Sequence, residues 1–266
     1  MTTLQKVIKY VAMALAISLA VGIIGSVLSA VGLISLLEKK PQKSEEPYVY
    51  LASSDITSLD IDIKSSHFTV TYGDGFSVSC SSGALDVTEK NGTLTVKENK
   101  KFDYTESNIN LQIPRDTCFE KADIDAGAGK FSIETLSART LNLDFGAGQA
   151  DIGTLNAFDN ADINGGAGKI TIANGTLKNL ELDMGVGELS LTSKLVGDSD
   201  FDLGIGKTTL TLIGTPEDYR VELEKGLGSV THNGVAVTGA SRLGNGPNEV
   251  EIDCGVGSVD IVYVEE

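Results

Sequence analysis

The sequence predicts an all-β fold, a β-solenoid (β-helix-like) of coils about 20 residues long, preceded by one N-terminal transmembrane helix. Three observations predict it. Gly-x-Gly tripeptides recur at near-constant spacing, apolar and polar residues alternate on both sides of each, and a charge-free run stands near the N-terminus.

The tripeptides are Gly127-Ala128-Gly129, Gly146-Ala147-Gly148, Gly166-Ala167-Gly168, Gly185-Val186-Gly187, Gly204-Ile205-Gly206, Gly226-Leu227-Gly228 and Gly255-Val256-Gly257, separated by 19, 20, 19, 19, 22 and 29 residues. The residue three before each first glycine is apolar: Ile124, Leu143, Ile163, Leu182, Phe201, Leu223 and Ile252. Apolar residues resume at alternate positions after the turn, as in Phe131 and Ile133 or Leu189 and Leu191. Period-two alternation on both sides of Gly-x-Gly spells strand, sharp bend, strand, with the glycines expected to supply backbone angles that a Cβ forbids. One coil cannot bury its apolar side alone, so the copies must stack around one core. With strands about 4.8 Å apart, seven or eight coils give a stack roughly 35–40 Å long.

In chain order, residues 1–9 are a short segment expected in the cytoplasm. Residues 10–37 carry no charge and are bounded by Lys6 and Lys9 on one side and Glu38, Lys39 and Lys40 on the other. At about 1.5 Å per residue, a helix of this length crosses a hydrocarbon core of roughly 30 Å. A cleaved signal peptide would have a shorter apolar region, and its candidate site, Ser18-Leu19-Ala20, falls inside the run. Flanking lysines nearly balance, so the N-terminus is placed inside because long domains cross largely regardless of their charge. Ala14, Ser18, Gly22, Ser26 and Ala30 lay a strip of small side chains along one side, where a second helix can approach closely. The linker, residues 38–47, contains two prolines and at about 3.3 Å per residue reaches at most about 30 Å.

Residues 48–266 form the solenoid, with atypical end coils. Leu59–Ile63 and Phe68–Val70 fit the repeat register, with Lys64-Ser65-Ser66 where the bend belongs, and read as a degenerate first coil. Gly73-Asp74-Gly75 and Asn91-Gly92 are hairpin signals.

These tandem φ-Asp-x-Gly-x-Gly-x-φ-x-φ units, the Ile109-Asn110-Leu111-Gln112-Ile113-Pro114 strand before them and the N-terminal apolar segment together resemble the bacterial putative-adhesin family of β-strand-repeat proteins of unknown function. The likeness covers about residues 48–264. It implies a β-solenoid at the cell envelope, often associated with envelope-stress operons, and carries over no functional residues. Ser65, Ser66 and His232, which stands where other coils carry Ile or Leu, depart from the pattern in the end coils.

Charge narrows the function. The chain carries −16 in all; residues 1–46 hold five Lys and three Glu, leaving 16 basic and 34 acidic residues beyond them, a net of −18. Such a surface repels nucleic-acid phosphates and favours cations or basic partners. Cys80, Cys118 and Cys254 are widely spaced without histidine ligands beside them, which excludes a structural zinc site. Their odd count leaves at least one thiol unpaired within the chain; a Cys80–Cys118 disulfide is one reading, and small buried residues the simpler one.

No catalytic, cofactor or metal site is expected. None of the Gly-x-Gly copies continues into a phosphate-binding loop. Gly165-Gly166-Ala167-Gly168 starts like a calcium-binding nonapeptide but places Ile170 where the aspartate ligand belongs. His67 and His232 are the only histidines and form no triad with the serines or cysteines. Carboxylates recur identically in every coil, unlike the unique pair of a glycosidase.

Two acidic columns remain. Asp125, Asp144, Asn164, Asp183, Asp202, Glu224 and Asp253 lie nearer the bends and are expected to cap them by accepting backbone hydrogen bonds. Asp123, Asp162, Glu181, Asp200, Glu222 and Glu251, with Asn142, form the farther column: a solvated face, or a candidate binding face for a cationic ligand or basic envelope protein. The expected function is that of a non-enzymatic, single-pass cell-membrane protein presenting this acidic solenoid outside the membrane to another envelope component. The alternative is a structural or regulatory subunit acting through its transmembrane helix in an envelope-stress system.

Overall fold

The burial pattern gives each coil three sides. Between residues 122 and 143, inward side chains fall at Ala122, Ile124 and Ala126, then Phe131 and Ile133, then Leu136 and Ala138, then Leu141 and Leu143. Two successive residues face outward at 134–135 and again at 139–140, and each slip of the alternation turns the chain through a corner. Gly-x-Gly makes the third corner.

The computed structural model describes residues 48–53, 55–81, 85–99, 107–239 and 241–265, all within one compact unit, Glu45–Glu266. The apolar segment 10–37, its strip of small residues and the linker lie outside the described residues, among which no helix is long and apolar enough to cross a membrane. Strands run β1 (Tyr48–Leu51), β2 (Ser58–Ile63), β3 (His67–Gly73), β4 (Ser77–Cys80), β5 (Leu85–Lys90), β6 (Thr93–Glu98), β7 (Asn108–Pro114) and β8 (Phe119–Ile172). They continue as β9 (Gly175–Lys178), β10 (Leu180–Val196), β11 (Asp198–Ile213), β12 (Tyr219–His232), β13 (Val235–Val237), β14 (Ser241–Leu243) and β15 (Asn248–Val264). The fold is an all-β solenoid. Ile61, Ile124, Leu143, Ile163, Leu182, Phe201, Ile252 and Leu223 line up as one buried column through its core.

Only half of the expected glycine role is conformational. The second glycine of each bend has positive φ, from +133° at Gly148 to +154° at Gly206, whereas the first does not. What both share is the layer beneath. A Cβ on Gly146 would stand 2.3 Å from the Gly127 carbonyl oxygen, and one on Gly148 2.0 Å from that of Gly129. Parallel bends therefore nest backbone on backbone, which no larger residue permits, while the middle residue is half-buried or exposed and is Ala, Val, Ile or Leu.

The order of layers departs from the order of the chain at both ends. β2 and β3 are a coil in register, Ile61 against Ile124 and Phe68 against Phe131, as expected from the sequence. They are not outermost, because β6 and β7 come later in the chain and pair in parallel beneath them. Antiparallel β5 then borders β6, while β4 borders β7 and β1 borders β4. Asn91-Gly92 makes the expected β5–β6 hairpin with φ +52° and +76°. Gly73-Asp74-Gly75 does not make one: β3 and β4 lie on opposite sides of β7, so the chain steps over a strand there. At the other end β15 inserts between β11 and β12, putting the last Gly-x-Gly of the sequence beneath the one before it.

Ser65 and Ser66 can replace glycine because no bend lies under them. In its place the buried carboxylate of Glu98, at the end of β6, accepts the Lys64 amide at 2.7 Å, the Ser65 amide at 2.9 Å and the Ser66 hydroxyl at 2.5 Å. Burial works to raise its pKa, but these hydrogen bonds outweigh it and hold the carboxyl below its ordinary value. Cys80, Cys118 and Cys254 form no disulfide; Cys80 is buried as expected, whereas Cys118 is exposed because it sits in the turn before β8.

Two outcomes follow. Gly146→Ala and Gly148→Ala should each cost more than about 1–2 kcal/mol in urea melts, and Ala147→Val much less. For Glu98 the folded-state pKa is depressed, so its contribution is present above the unfolded pKa and is lost as pH falls through the carboxylate range. Glu98→Ala should cost about 2–4 kcal/mol at neutral pH and progressively less on acidification, measured by denaturation at a series of pH values.

Candidate binding face

Parallel register places like on like. Asp162 pairs with Glu181, Glu181 with Asp200, Asp200 with Glu251, and Glu251 with Glu222, so the farther column is continuous although its last two members are exchanged relative to the sequence. Nearer the bends, Asn164, Asp183, Asp202, Asp253 and Glu224 stack likewise. Neighbouring carboxylates recur about every 4.8 Å.

The bend-capping role expected of the nearer column is not what the structure shows. Asp125, Asp183 and Asp253 accept no hydrogen bond from the bend amides, which bond to the layer beneath instead, as the Ala128 amide does to the Lys64 carbonyl at 2.8 Å. These carboxylates act on one another. Burial, then the charges of Asp144, Asp123 and Asp62, raise the pKa of Asp125. Burial, then Asp202, Asp162 and Asp200, raise that of Asp183; burial, then Glu224 and Asp202, raise that of Asp253. In the farther column Asp200 is raised by burial and by Asp202 and Asp253, and Glu251 first by the charge of Asp200.

Basic partners reach only part of this surface. Lys97 pairs with Asp60 at 3.5 Å and Lys121 with Asp123 at 2.6 Å at the N-terminal end. Arg220 and Arg242 meet Glu222 at 3.7 and 3.5 Å at the other end. Asp162 accepts from the Asn164 amide at 2.9 Å. Among the described side chains no lysine or arginine pairs with Glu181, Asp183, Asp200, Asp202, Glu224, Glu251 or Asp253, although Arg139 and Lys169 balance carboxylates elsewhere. Of the six predicted face residues, the structure therefore groups Glu181, Asp200 and Glu251 and leaves Asp123 and Glu222 neutralised at the two ends.

Each uncompensated run lines an open groove. One, of about 730 Å³, has Asp183, Asp202, Asp253 and Glu224 along it, with Met184, Leu203 and Cys254 behind. The other, of about 620 Å³, is lined by Glu181, Asp200 and Glu251 together with Asp198 and with Glu249, which Arg220 pairs. Sequence reasoning missed Asp198 and Glu249; they stand two residues before Asp200 and Glu251, on the same outward phase, and pair across β11 and β15. Among the described residues no group of three or more His, Cys, Asp or Glu side chains is arranged to hold a metal ion. His232 takes the place of the column's aliphatic residue, against Ile261, with Nε2 2.9 Å from the Tyr263 hydroxyl; burial lowers its pKa.

Fold and face together define a class: a β-solenoid with one acidic, grooved side. Residues 55–226 match the Toastrack DUF4097 family, so the chain belongs to that family. No curated protein matches it. Solved structures it is similar to include a putative adhesin from Bacteroides fragilis NCTC 9343 (12% identity, 84% of this chain, 99% of that one, TM-score 0.48) and a putative adhesin from Parabacteroides merdae ATCC 43184 (14%, 83%, 97%, 0.41). A third is a putative lipid binding protein from Parabacteroides distasonis ATCC 8503 (14%, 82%, 97%, 0.35). At these identities and scores the likeness carries no argument about ligands.

Raised carboxylate pKa values reverse the sign found for Glu98: folding is opposed above the folded-state pKa, and the penalty fades as pH falls toward the unfolded value. Asp183→Asn or Asp200→Asn should therefore raise the melting temperature at neutral pH and low salt, with a stability gain that solvent screening at these exposed positions holds to about 0.2–0.5 kcal/mol each. About 150 mM NaCl should remove most of that gain, and a few millimolar Ca²⁺ at matched ionic strength should do no more.

Proposed function

We propose that this protein is a non-enzymatic, single-pass envelope protein whose solenoid stands outside the membrane and binds a basic envelope component along its acidic grooves. The observation that carries the reading is the group Glu181, Asp183, Asp200, Asp202, Glu224, Glu251 and Asp253, which meet no lysine or arginine among the described side chains, whereas Arg139 and Lys169 balance carboxylates elsewhere. Keeping stacked like charges costs stability, and a cationic partner recovers that cost on binding. The membrane placement rests on the charge-free run 10–37.

The small-residue strip of that run favours a second reading, a subunit acting through its helix. Exchanging residues 10–37 for an unrelated apolar helix separates the two, since only the second predicts loss of function. For the first, immobilised solenoid should retain a basic protein from envelope extracts that is lost at high salt and with Glu181→Gln/Asp200→Asn/Glu251→Gln. Retention of the same proteins by that variant would sink the reading. Protease added to intact cells should degrade the solenoid; full protection would exclude the outward placement.

A further inference from the structure

After β11 the chain turns through Pro216–Asp218 and lays down β12 one layer too far away, leaving a gap that only β15 fills. Two strand spacings, about 9.6 Å, separate β11 from β12. β15 pairs along Asp198–Ile213 on one side and along Tyr219–His232 on the other. On its far edge β12 has only the short antiparallel strands β13 and β14. Among the described residues, no strand pairing other than that through β15 ties the terminal coil to the stack.

From this we infer that the slot between β11 and β12 is a strand-binding site, filled here by the chain's own β15, and that the partner it fits in trans is β15 of a second copy. The strand's core and backbone contacts are made to the slot. Val250, Ile252, Val259 and Ile261 are buried, and Gly257 nests on Gly206 with Gly228 nesting on Gly257 in turn. Arg220 meets Glu249, Thr231 meets Asp260, and His232 meets Tyr263. All of these are the same whichever copy donates the strand. Only the hinge, residues 244–247, distinguishes the two arrangements.

That hinge is tightly held. Gly244 has φ +76° with a Cβ position 2.3 Å from the Tyr219 carbonyl oxygen, and a Cβ on Gly246 would stand 2.1 Å from the Tyr219 nitrogen. Strain placed there falls on the hinge and on Tyr219 at the mouth of the slot, and leaves the pairing from Arg220 to His232 untouched. Exchange also has a consequence for the acidic groove, because Asp253, Cys254 and Gly255 arrive with β15 between Asp202 and Glu224. In an exchanged pair each groove is built from both copies. The inference does not depend on what the groove binds.

The test uses the full chain in detergent micelles. One tagged version carries Thr211→Cys and a differently tagged one Val262→Cys, positions that are Cα partners across β11 and β15. The two are mixed, unfolded in urea, refolded together and oxidised. A control mixture pairs Thr211→Cys with Lys90→Cys, which lies on β5 at the opposite end, and accounts for the native thiols. Expected is an inter-chain disulfide several-fold above the control, rising with protein concentration and further with Gly246→Ala in both chains. An inter-chain yield at the control level overturns the proposal, and the mixture with the unaltered hinge decides this even if Gly246→Ala fails to fold.

Discussion

At each bend the carbonyl oxygen of one layer occupies the space a Cβ would need on the layer above, and the rest of the structure depends on that approach. It is closest at the second glycines, where the φ values also exclude ordinary side chains. Because the bends can nest only when they lie directly over one another, they lock the register of everything on either side. One residue of slip would turn the apolar column outward. The core of aligned Ile, Leu and Phe is thus a consequence of the bends as much as of hydrophobic burial.

The same register forces identical outward residues together. Threonine and asparagine tolerate stacking, but aspartate and glutamate do so against mutual repulsion, visible in the raised pKa values of Asp125, Asp183, Asp200, Glu251 and Asp253. Lysine or arginine set between coils relieves this at both ends of the stack and at the Arg139 corner. At Glu181, Asp183, Asp200, Asp202, Glu224, Glu251 and Asp253 the relief is absent among the described side chains, and the grooves run beside these carboxylates. A solenoid can concentrate charge this way without any loop or pocket.

The two ends solve the problem of an unpaired layer differently. At the N-terminal end a single buried carboxylate, Glu98, satisfies the donors of a bend that has no bend beneath it. Antiparallel β1, β4 and β5 border the strands there, and β13 and β14 border β12 at the other end, in keeping with the general need to close sheet edges. In both places a segment late in the chain pairs with an earlier one out of sequence order, which makes completion of the stack a long-range event.

The sequence by itself determined the coil. Gly-x-Gly spacing, period-two alternation and the apolar residue three before each bend are local signals, and they place Ile124, Leu182 or Phe201 inside and Asp183 or Asp200 outside because strand geometry admits no other phase. Asn91-Gly92 is legible for the same reason, since its turn is a property of two residues. The order of layers was not legible. Every coil presents the same register to its neighbours, so Gly257 fits on Gly206 as well as Gly228 would, and no local feature chooses between them. Only tertiary closure seats β15 between β11 and β12 and puts Glu98 beneath Ser66. It likewise decides which carboxylates meet a lysine or arginine, because that depends on which strands become neighbours.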